Sequence, residues 1–313
     1  MTQIKPTSSS GSRRTTRQVS RPRLSRRSLM PEETVSSLIQ SITVRLGAAG
    51  IEDAGIDARF LVRSAFGWSA ADQLGQLLDQ PPSDQLDHLE SLVARRTTRE
   101  PLQYITGRAE FYRRQFIVNE NVLIPRPETE QIVVQVLAFV REAGIDNPRI
   151  ADICTGSGAI AISLALELPA AEVHATDISS AALTVAQQNT DALAAELDMY
   201  EGNLLEPLTG EFDVIVSNPP YILSGAMPSL QAEVSREPSL ALDGGNDGLD
   251  VVRPLFEGIA TMLKPTRSAA YVEIDPPVAD DVLQLALDTF PQAGIALLTD
   301  LDGLTRCVSI EYA

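Results

Sequence analysis

Phe212-Asp213-Val214-Ile215-Val216-Ser217-Asn218-Pro219-Pro220-Tyr221 is the stretch with the clearest chemical potential. An apolar run of strand length stops at a polar side chain, two prolines and an aromatic. Val214 to Val216 reads as a strand buried on both faces, as in a parallel sheet. Each proline fixes its own φ and pushes the residue before it toward extended geometry, so Asn218 and Pro219 are both restrained. The turn presents the Asn218 side-chain oxygen and nearby carbonyls, with Tyr221 as a flat wall. A planar –NH2 group has two N–H donors and needs two fixed acceptors. The Asn218 side-chain oxygen and the Pro219 carbonyl form such a pair. A bare Asn-Pro-Pro is more often a plain strand-end turn. The tyrosine, the strand end and a glycine turn elsewhere in the chain favour ligand binding.

That glycine turn is Ala151-Asp152-Ile153-Cys154-Thr155-Gly156-Ser157-Gly158. Small residues let the backbone approach a ligand and leave the N–H groups of a following helix free. No lysine follows, so a P-loop is excluded, and the glycines do not make a clean dinucleotide fingerprint. Asp177 ends the next strand about twenty residues on, where an acid accepts both hydroxyls of a ribose. A ribose acid without a phosphate fingerprint points to a nucleoside lacking phosphates. S-adenosylmethionine meets that description, and its positive sulfonium suits an acidic protein. Asn203 ends the third strand, where an adenine edge would lie; a simple turn asparagine is the other reading.

Around these residues the chain alternates strands and helices. Strands are expected at 149–154, 172–177, 198–202, 212–217, 269–274, 295–299 and 304–312. Helices are expected at 158–167, 179–195, 249–263 and 277–290. The pattern is that of a doubly wound sheet, with a short return at the end making one strand antiparallel. Ligands bind such sheets at the carboxyl ends of strands, at the switch point, which the first and fourth strands flank. Asn218 and Cys154–Gly158 then face one crevice. Upstream, helical spacing of Val35, Leu38, Ile39, Ile42 and Leu46, repeated near 58–65 and 86–93, predicts a small helical unit over 32–98. Residues 99–107 read as a linker. Phe111–Ile117 and Val122–Ile124 read as a hairpin turning at Asn119-Glu120-Asn121. Residues 125–313 form the sheet domain, opened by a helix through Ile132 and Val140.

The 313 residues carry a formal charge of −17 and are 44% hydrophobic. Residues 1–31 hold Lys5 and seven arginines with no acid, so the remaining chain sets 17 bases against 42 acids. A body this acidic is poorly suited to a phosphate backbone. The basic stretch 1–31 reads as a disordered tail; an arm for nucleic acid or a protein, or a transit peptide, are the alternatives. Two cysteines and two histidines, without metal-ligand spacing, give no disulfide framework and no metal site. No apolar run reaches the ~18–20 residues of a membrane span.

Three stretches together resemble one family. Asp152-Ile153-Cys154-Thr155-Gly156-Ser157-Gly158-Ala159-Ile160, Asn218-Pro219-Pro220-Tyr221 and Val122-Leu123-Ile124-Pro125-Arg126-Pro127-Glu128-Thr129-Glu130 look like the peptide chain release factor glutamine methyltransferases, PrmC or HemK. Pro101 to Gly107 and the block Glu237-Pro238 through Asp247-Gly248-Leu249-Asp250 are similar too. The resemblance covers roughly 32–313. It implies a Rossmann-like class I S-adenosylmethionine methyltransferase sheet, mostly parallel with one antiparallel strand, preceded by a helical domain and a β-hairpin. It implies methylation at N5 of the glutamine in the Gly-Gly-Gln motif of release factors. On this resemblance Cys154, Thr155, Gly156, Ser157, Gly158, Asp177, Asn203, Leu204 and Asn218 match cofactor positions. Asn218, Pro219, Pro220 and Tyr221 match the glutamine-binding motif, and the helical domain helps dock the release factor. Cys154 replaces a usual glycine, Asn203 a common acid, and Glu273-Ile274-Asp275-Pro276 a usual E-I-G segment. The implied setting is the bacterial cytoplasm, or an organelle matrix if 1–31 is a transit peptide, with a monomer favoured. Competing readings are a ribosomal-protein glutamine methyltransferase, a DNA adenine-N6 methyltransferase and a non-catalytic adaptor.

Overall fold

A computed structural model describes residues 34–300 and 302–313. The reading of 1–31 as a disordered tail falls outside the described residues. The described residues open with four helices, α1 (Val35–Ala48), α2 (Ala54–Phe66), α3 (Ala70–Gly75) and α4 (Leu86–Thr97). Local signals start and stop them. Thr34 and Ser69 each form a capping box with the residue three places on. Gly67, at φ 66°, closes α2 in the left-handed conformation. Ile42, Leu46, Leu61, Val62, Leu89 and Val93 pack into one core, as their helical spacing predicts.

The expected linker at 99–107 contains a fifth helix, α5 (Leu102–Thr106). Ile105 completes the helical core, and the Tyr104 hydroxyl donates to the Val122 carbonyl at 2.6 Å. The stretch is therefore a packed joint. The hairpin is also displaced from expectation. It pairs β1 (Arg108–Phe111) with β2 (Arg114–Ile117), and Val122–Ile124 forms no strand. The turn residues are Tyr112 at φ 45° and Arg113 at φ 62°. A two-residue hairpin needs such positive angles, which normally select Asn or Gly, so this turn lacks its usual residue signal. Asn119 does make a local turn, accepting from the Asn121 N–H through its own side chain, but no partner strand follows.

Helix α6 (Glu130–Ala143) then leads into the alternating region: β3 (Arg149–Ile153), α7 (Ala159–Glu167), β4 (Glu172–Asp177), α8 (Ser180–Leu193), β5 (Asp198–Glu201), β6 (Val214–Ser217), α9 (Val252–Met262), β7 (Ser268–Glu273), α10 (Ala279–Thr289), β8 (Gly294–Thr299) and β9 (Thr305–Tyr312). The strands form one seven-stranded sheet in the order β5-β4-β3-β6-β7-β9-β8. Only β9 runs against its neighbours. This is the predicted doubly wound, mostly parallel sheet with one antiparallel strand. β6 shows why its sequence is apolar throughout. Val214 and Val216 enter the core under α6 and α7, while Ile215 enters the opposite core under α9 and α10. Among the described residues no helix is long and apolar enough to cross a membrane.

Two buried carboxylates lock parts of this frame. Asp152, fully buried in β3, accepts from the Thr155 hydroxyl at 2.6 Å and the Ala161 N–H at 3.1 Å. It thereby ties the turn after β3 to the first turn of α7. Asp57 in α2 accepts from Arg96 Nε at 2.7 Å. Arg96 also donates to Glu233 at 2.9 Å, and Arg99 donates to the other Glu233 oxygen at 2.6 Å. These contacts join the helical unit to the long connection between β6 and α9.

Two outcomes follow for stability. Arg96 and Asp57 are both buried, and removing one partner of a buried pair leaves an uncompensated charge. Arg96→Ala should destabilise the protein by about 3 kcal/mol, read as a lower urea midpoint; an unchanged midpoint would show the pair to be dispensable. Burial is the main cause that raises the Asp152 pKa to about 7, with the Asp177 charge adding to it. The unfolded value is near 4, so the native state binds the extra proton between these limits. The stability linked to this group is full at low pH and is lost as pH rises toward and through 7. Asp152→Asn removes that titration. Its thermal midpoint should vary less between pH 5 and 8 than the parent's, and an identical pH profile would count against this role.

Candidate active site

The site begins with strand register. β3 and β6 are parallel neighbours with Ile153 opposite Ser217, so Cys154 and Asn218 leave the sheet side by side. The Ser217 hydroxyl donates to the Ile153 carbonyl at 2.7 Å and pins the two strand ends together. After β3 the backbone turns sharply through left-handed conformations at Cys154 (φ 62°), Gly156 (φ 56°) and Gly158 (φ 79°). Such angles explain a usual glycine at position 154. Cysteine occupies it with some backbone strain. Burial and the nearby Asp177 and Asp152 charges push its thiol up to about 12, so it stays protonated at neutral pH.

Asp177 ends β4 facing this turn. Its Oδ2 accepts the Gly156 N–H and its Oδ1 the Ser179 N–H, both at 2.9 Å. Two backbone donors hold the carboxylate still, yet each oxygen keeps a lone pair for a ligand. Burial raises its pKa, against the backbone N–H groups of Ser179, Gly156 and Ile178. A cleft opens over these groups. Cys154, Thr155, Gly156, Ser157, Asp177, Asn203, Leu204, Asn218 and Pro220 all line it. Asn203 is exposed, and its Nδ2 donates to Glu206 at 2.9 Å.

Three predicted site residues do not line the cleft. Gly158 serves packing: a Cβ there would stand 2.9 Å from Ile162 Cδ1 and 3.3 Å from Ala186 Cβ. Pro219 is buried beneath the turn. Tyr221 is not the cleft's flat wall; its hydroxyl points inward and donates to Glu273 Oε1 at 3.0 Å. A largely buried phenol needs such a partner.

Sequence reasoning overlooked several contributors. Asn218 Nδ2 donates to Thr129 Oγ1 at 3.3 Å, which turns the Asn218 carbonyl oxygen away from Thr129. Ile178, directly after Asp177, is 54% exposed and supplies an apolar plate at the rim. The segment 237–250 packs onto the Asn-Pro-Pro-Tyr turn itself. A Cβ on Gly244 would lie 2.7 Å from Tyr221 Cα, and one on Gly248 2.8 Å from the Tyr221 carbonyl. Glu237, buried, accepts from the Ile124 N–H at 2.9 Å and from the Arg126 guanidinium. The spacing of glycines at 244, 245 and 248 was the available signal for this close approach. The departure at Asp275-Pro276 is benign. Asp275 is extended, at φ −96° and ψ 144°, so no glycine is required, and Pro276 opens the short 3-10 turn ahead of α10.

Among the described residues, the charged ones lining the cleft are Asp177 and Asp243, with no lysine or arginine. A phosphate would find no cation there. A nucleoside carrying positive charge fits better: a carboxylate for the ribose diol, Ile178 and Leu204 for the base faces, and a small-residue turn for close approach. The residues present therefore suit S-adenosylmethionine.

Comparison with known proteins agrees with this geometry. Residues 37–107 match the PrmC N-terminal domain, and 131–237 match the methyltransferase small domain. The release factor glutamine methyltransferase of Moorella thermoacetica is 42% identical over 266 residues, covering 84% of this chain and 93% of its own. That of Bradyrhizobium diazoefficiens is 37% identical over 287 residues, covering 88% and 94%. The solved catalytic domain of hMettl16, in complex with the MAT2A 3'UTR hairpin 6, shares the fold with a TM-score of 0.51 at 14% identity, over 72% of this chain and 82% of that one. With identity of this level running through both the helical unit and the sheet, the chain belongs to the release factor glutamine methyltransferase family.

Proposed function

We propose that the protein transfers a methyl group from S-adenosylmethionine to N5 of the glutamine in the Gly-Gly-Gln motif of peptide chain release factors. The observation that carries this reading is the Asn218 amide, held through Nδ2 by Thr129 with its oxygen left to a substrate, in the same cleft as Asp177. An amide nitrogen is a poor nucleophile because its lone pair is delocalised. Asn218 Oδ1 accepts one of its N–H groups and raises electron density on nitrogen. Pro220 gives the planar amide an apolar contact, and the two prolines keep the acceptor from relaxing. Asp177 holds the ribose diol, and Cys154 to Ser157 lie under the methionine portion. S-adenosylmethionine, when bound, supplies a methyl on a positively charged sulfur, open to in-line attack. Rate enhancement comes from positioning and preorganised dipoles: the N–C bond would form as the S–C bond breaks, and the amide proton, acidic only once the methyl is on nitrogen, would leave to solvent without a general base. The helical unit, rigidly joined through Arg96, Arg99 and Glu233, docks the release factor in the bacterial cytoplasm. A DNA substrate fits poorly, because among the described residues no cation lines the cleft.

Intact-mass analysis of a release factor incubated with the protein and S-adenosylmethionine should show one added methyl, placed by fragmentation on the Gly-Gly-Gln glutamine. No addition to the factor, with methylation of a ribosomal-protein glutamine instead, would move the acceptor to the ribosome. Asn218→Ala should lower turnover by about 100-fold or more while cofactor affinity stays within a few-fold. Near-normal turnover in that variant would remove Asn218 from the mechanism.

A further inference from the structure

Glu273 is a buried acid that the mechanism above does not use. It ends β7, which runs parallel to β6 with Val272 opposite Ser217. One residue further along each strand, Glu273 stands beside Asn218. Glu273 is 3% exposed and lies outside the lining of the cleft. Oε1 accepts the Tyr221 hydroxyl at 3.0 Å. The Thr129 hydroxyl stands close enough to lower the Glu273 pKa. Glu273 Oε2 is buried with no hydrogen-bond partner among the described residues, so it is open to the Thr129 proton. The same Thr129 oxygen receives the Asn218 Nδ2–H.

We propose that Glu273 is the positioning residue of the acceptor site, its ionised carboxylate setting through Thr129 which way the Asn218 amide faces. This rests on the reading of Asn218 as the side chain that holds the acceptor amide. The polarity of the chain follows from what each group can do. A carboxylate only accepts, so the Tyr221 and Thr129 hydroxyls both turn their protons toward Glu273. Thr129 then has only lone pairs to offer Asn218. Asn218 must present Nδ2 to Thr129, and its oxygen is left for the substrate N–H. With a donor in place of the carboxylate, Thr129 can turn its proton to Asn218, and the amide is free to flip. The flipped amide would meet the substrate –NH2 donor to donor.

The relay is sensitive to protonation. Burial is the main cause that raises the Glu273 pKa to about 7. Tyr221 faces the carboxyl from the Asn-Pro-Pro-Tyr turn, Thr129 and Glu128 from the turn before α6, and Arg306 and Cys307 from β9. Asp275 follows in the same chain and pairs with Arg306. Glu128 favours the proton and Arg306 opposes it. Protonation leaves the carboxyl with a donor of its own, and the directed chain to Asn218 is lost.

The test combines a substrate-free reading with kinetics. In protein labelled with 15N-asparagine, the Asn218 side-chain NH2 signals should move with a midpoint near pH 7 in the wild type and stay flat in Glu273→Gln. Thr129→Val should also abolish the movement, and Thr129→Ser should restore it. For methyl transfer to the release factor, Glu273→Gln and Thr129→Val should lower kcat by about 10- to 100-fold. In Glu273→Gln the S-adenosylmethionine Kd should stay within about two-fold, as expected for a group outside the cleft lining, and Thr129→Ser should recover most of kcat. A purely structural Glu273 would be served equally well by glutamine, which still accepts from Tyr221. Wild-type kcat in Glu273→Gln, a pH-independent Asn218 signal in the wild type, or unchanged movement in Glu273→Gln would each overturn the proposal. If the wild type transfers no methyl to the release factor, the assigned substrate fails, and the Asn218 signals still decide the relay.

Discussion

The site depends on one pairing register. Ile153 lies opposite Ser217 where β3 and β6 end, and the Ser217 hydroxyl closes that end onto the Ile153 carbonyl. A slip of one residue would send Asn218 to the other face of the sheet. The register is enforced by burial on both sides. Val214 and Val216 fill one core and Ile215 the other, so no shifted pairing keeps all three apolar side chains in their places. Because adjacent parallel strands end together, the cofactor turn and the acceptor turn are built as neighbours by the sheet itself. No loop has to fold over to bring them together.

The connection between β6 and α9 makes the acceptor turn rigid and links it to the rest of the chain. Gly244 and Gly248 let this segment lie directly on the Tyr221 backbone, nearer than any side chain would permit. The Ile222 N–H donates to Leu242, and the Gly244 N–H donates back to Ile222. From the same segment Glu237 reaches Ile124 and Arg126, and Glu233 reaches Arg96 and Arg99. A load on the helical unit is thus transmitted through charged contacts to the residues that would hold the glutamine. The helical unit is thereby mechanically continuous with the acceptor turn.

Most of the fold was readable because it is written locally. Strand lengths, the glycine turn and the proline-restrained turn each occupy fewer than ten consecutive residues, and the alternation of elements dictated the sheet. The residues proposed for the cofactor were legible for the same reason, since the turn at Cys154 to Ser157 is shaped by its own backbone and Asp177 closes the next strand. What escaped reading was either conformational or distant. The β1–β2 turn uses Tyr112 and Arg113 at positive φ, residues that carry no turn signal. Thr129, Asn218 and Glu273 meet only after three separate elements are packed. Tyr221 read as a flat wall, because an aromatic after a proline turn gives no hint of a buried carboxylate that accepts from its hydroxyl.

The two halves of the site share one construction. Beneath the cofactor turn, Asp152 is buried at the end of β3 and draws in the Thr155 hydroxyl. Beside the acceptor turn, Glu273 is buried at the end of β7, next to the Thr129 hydroxyl. Burial holds both carboxyl groups near neutrality in pKa, about 7 in each case. A buried carboxylate costs stability, and an apolar residue at either place would fold more easily. Each acid stands where a threonine must point one way. At Asp152 that direction fixes a backbone turn. At Glu273 it fixes the sense of an amide, which an apolar neighbour could not distinguish, because the two ends of an Asn side chain have nearly the same shape. Shape alone can place Asn218 in the cleft, but only a charge behind it can tell its oxygen from its nitrogen.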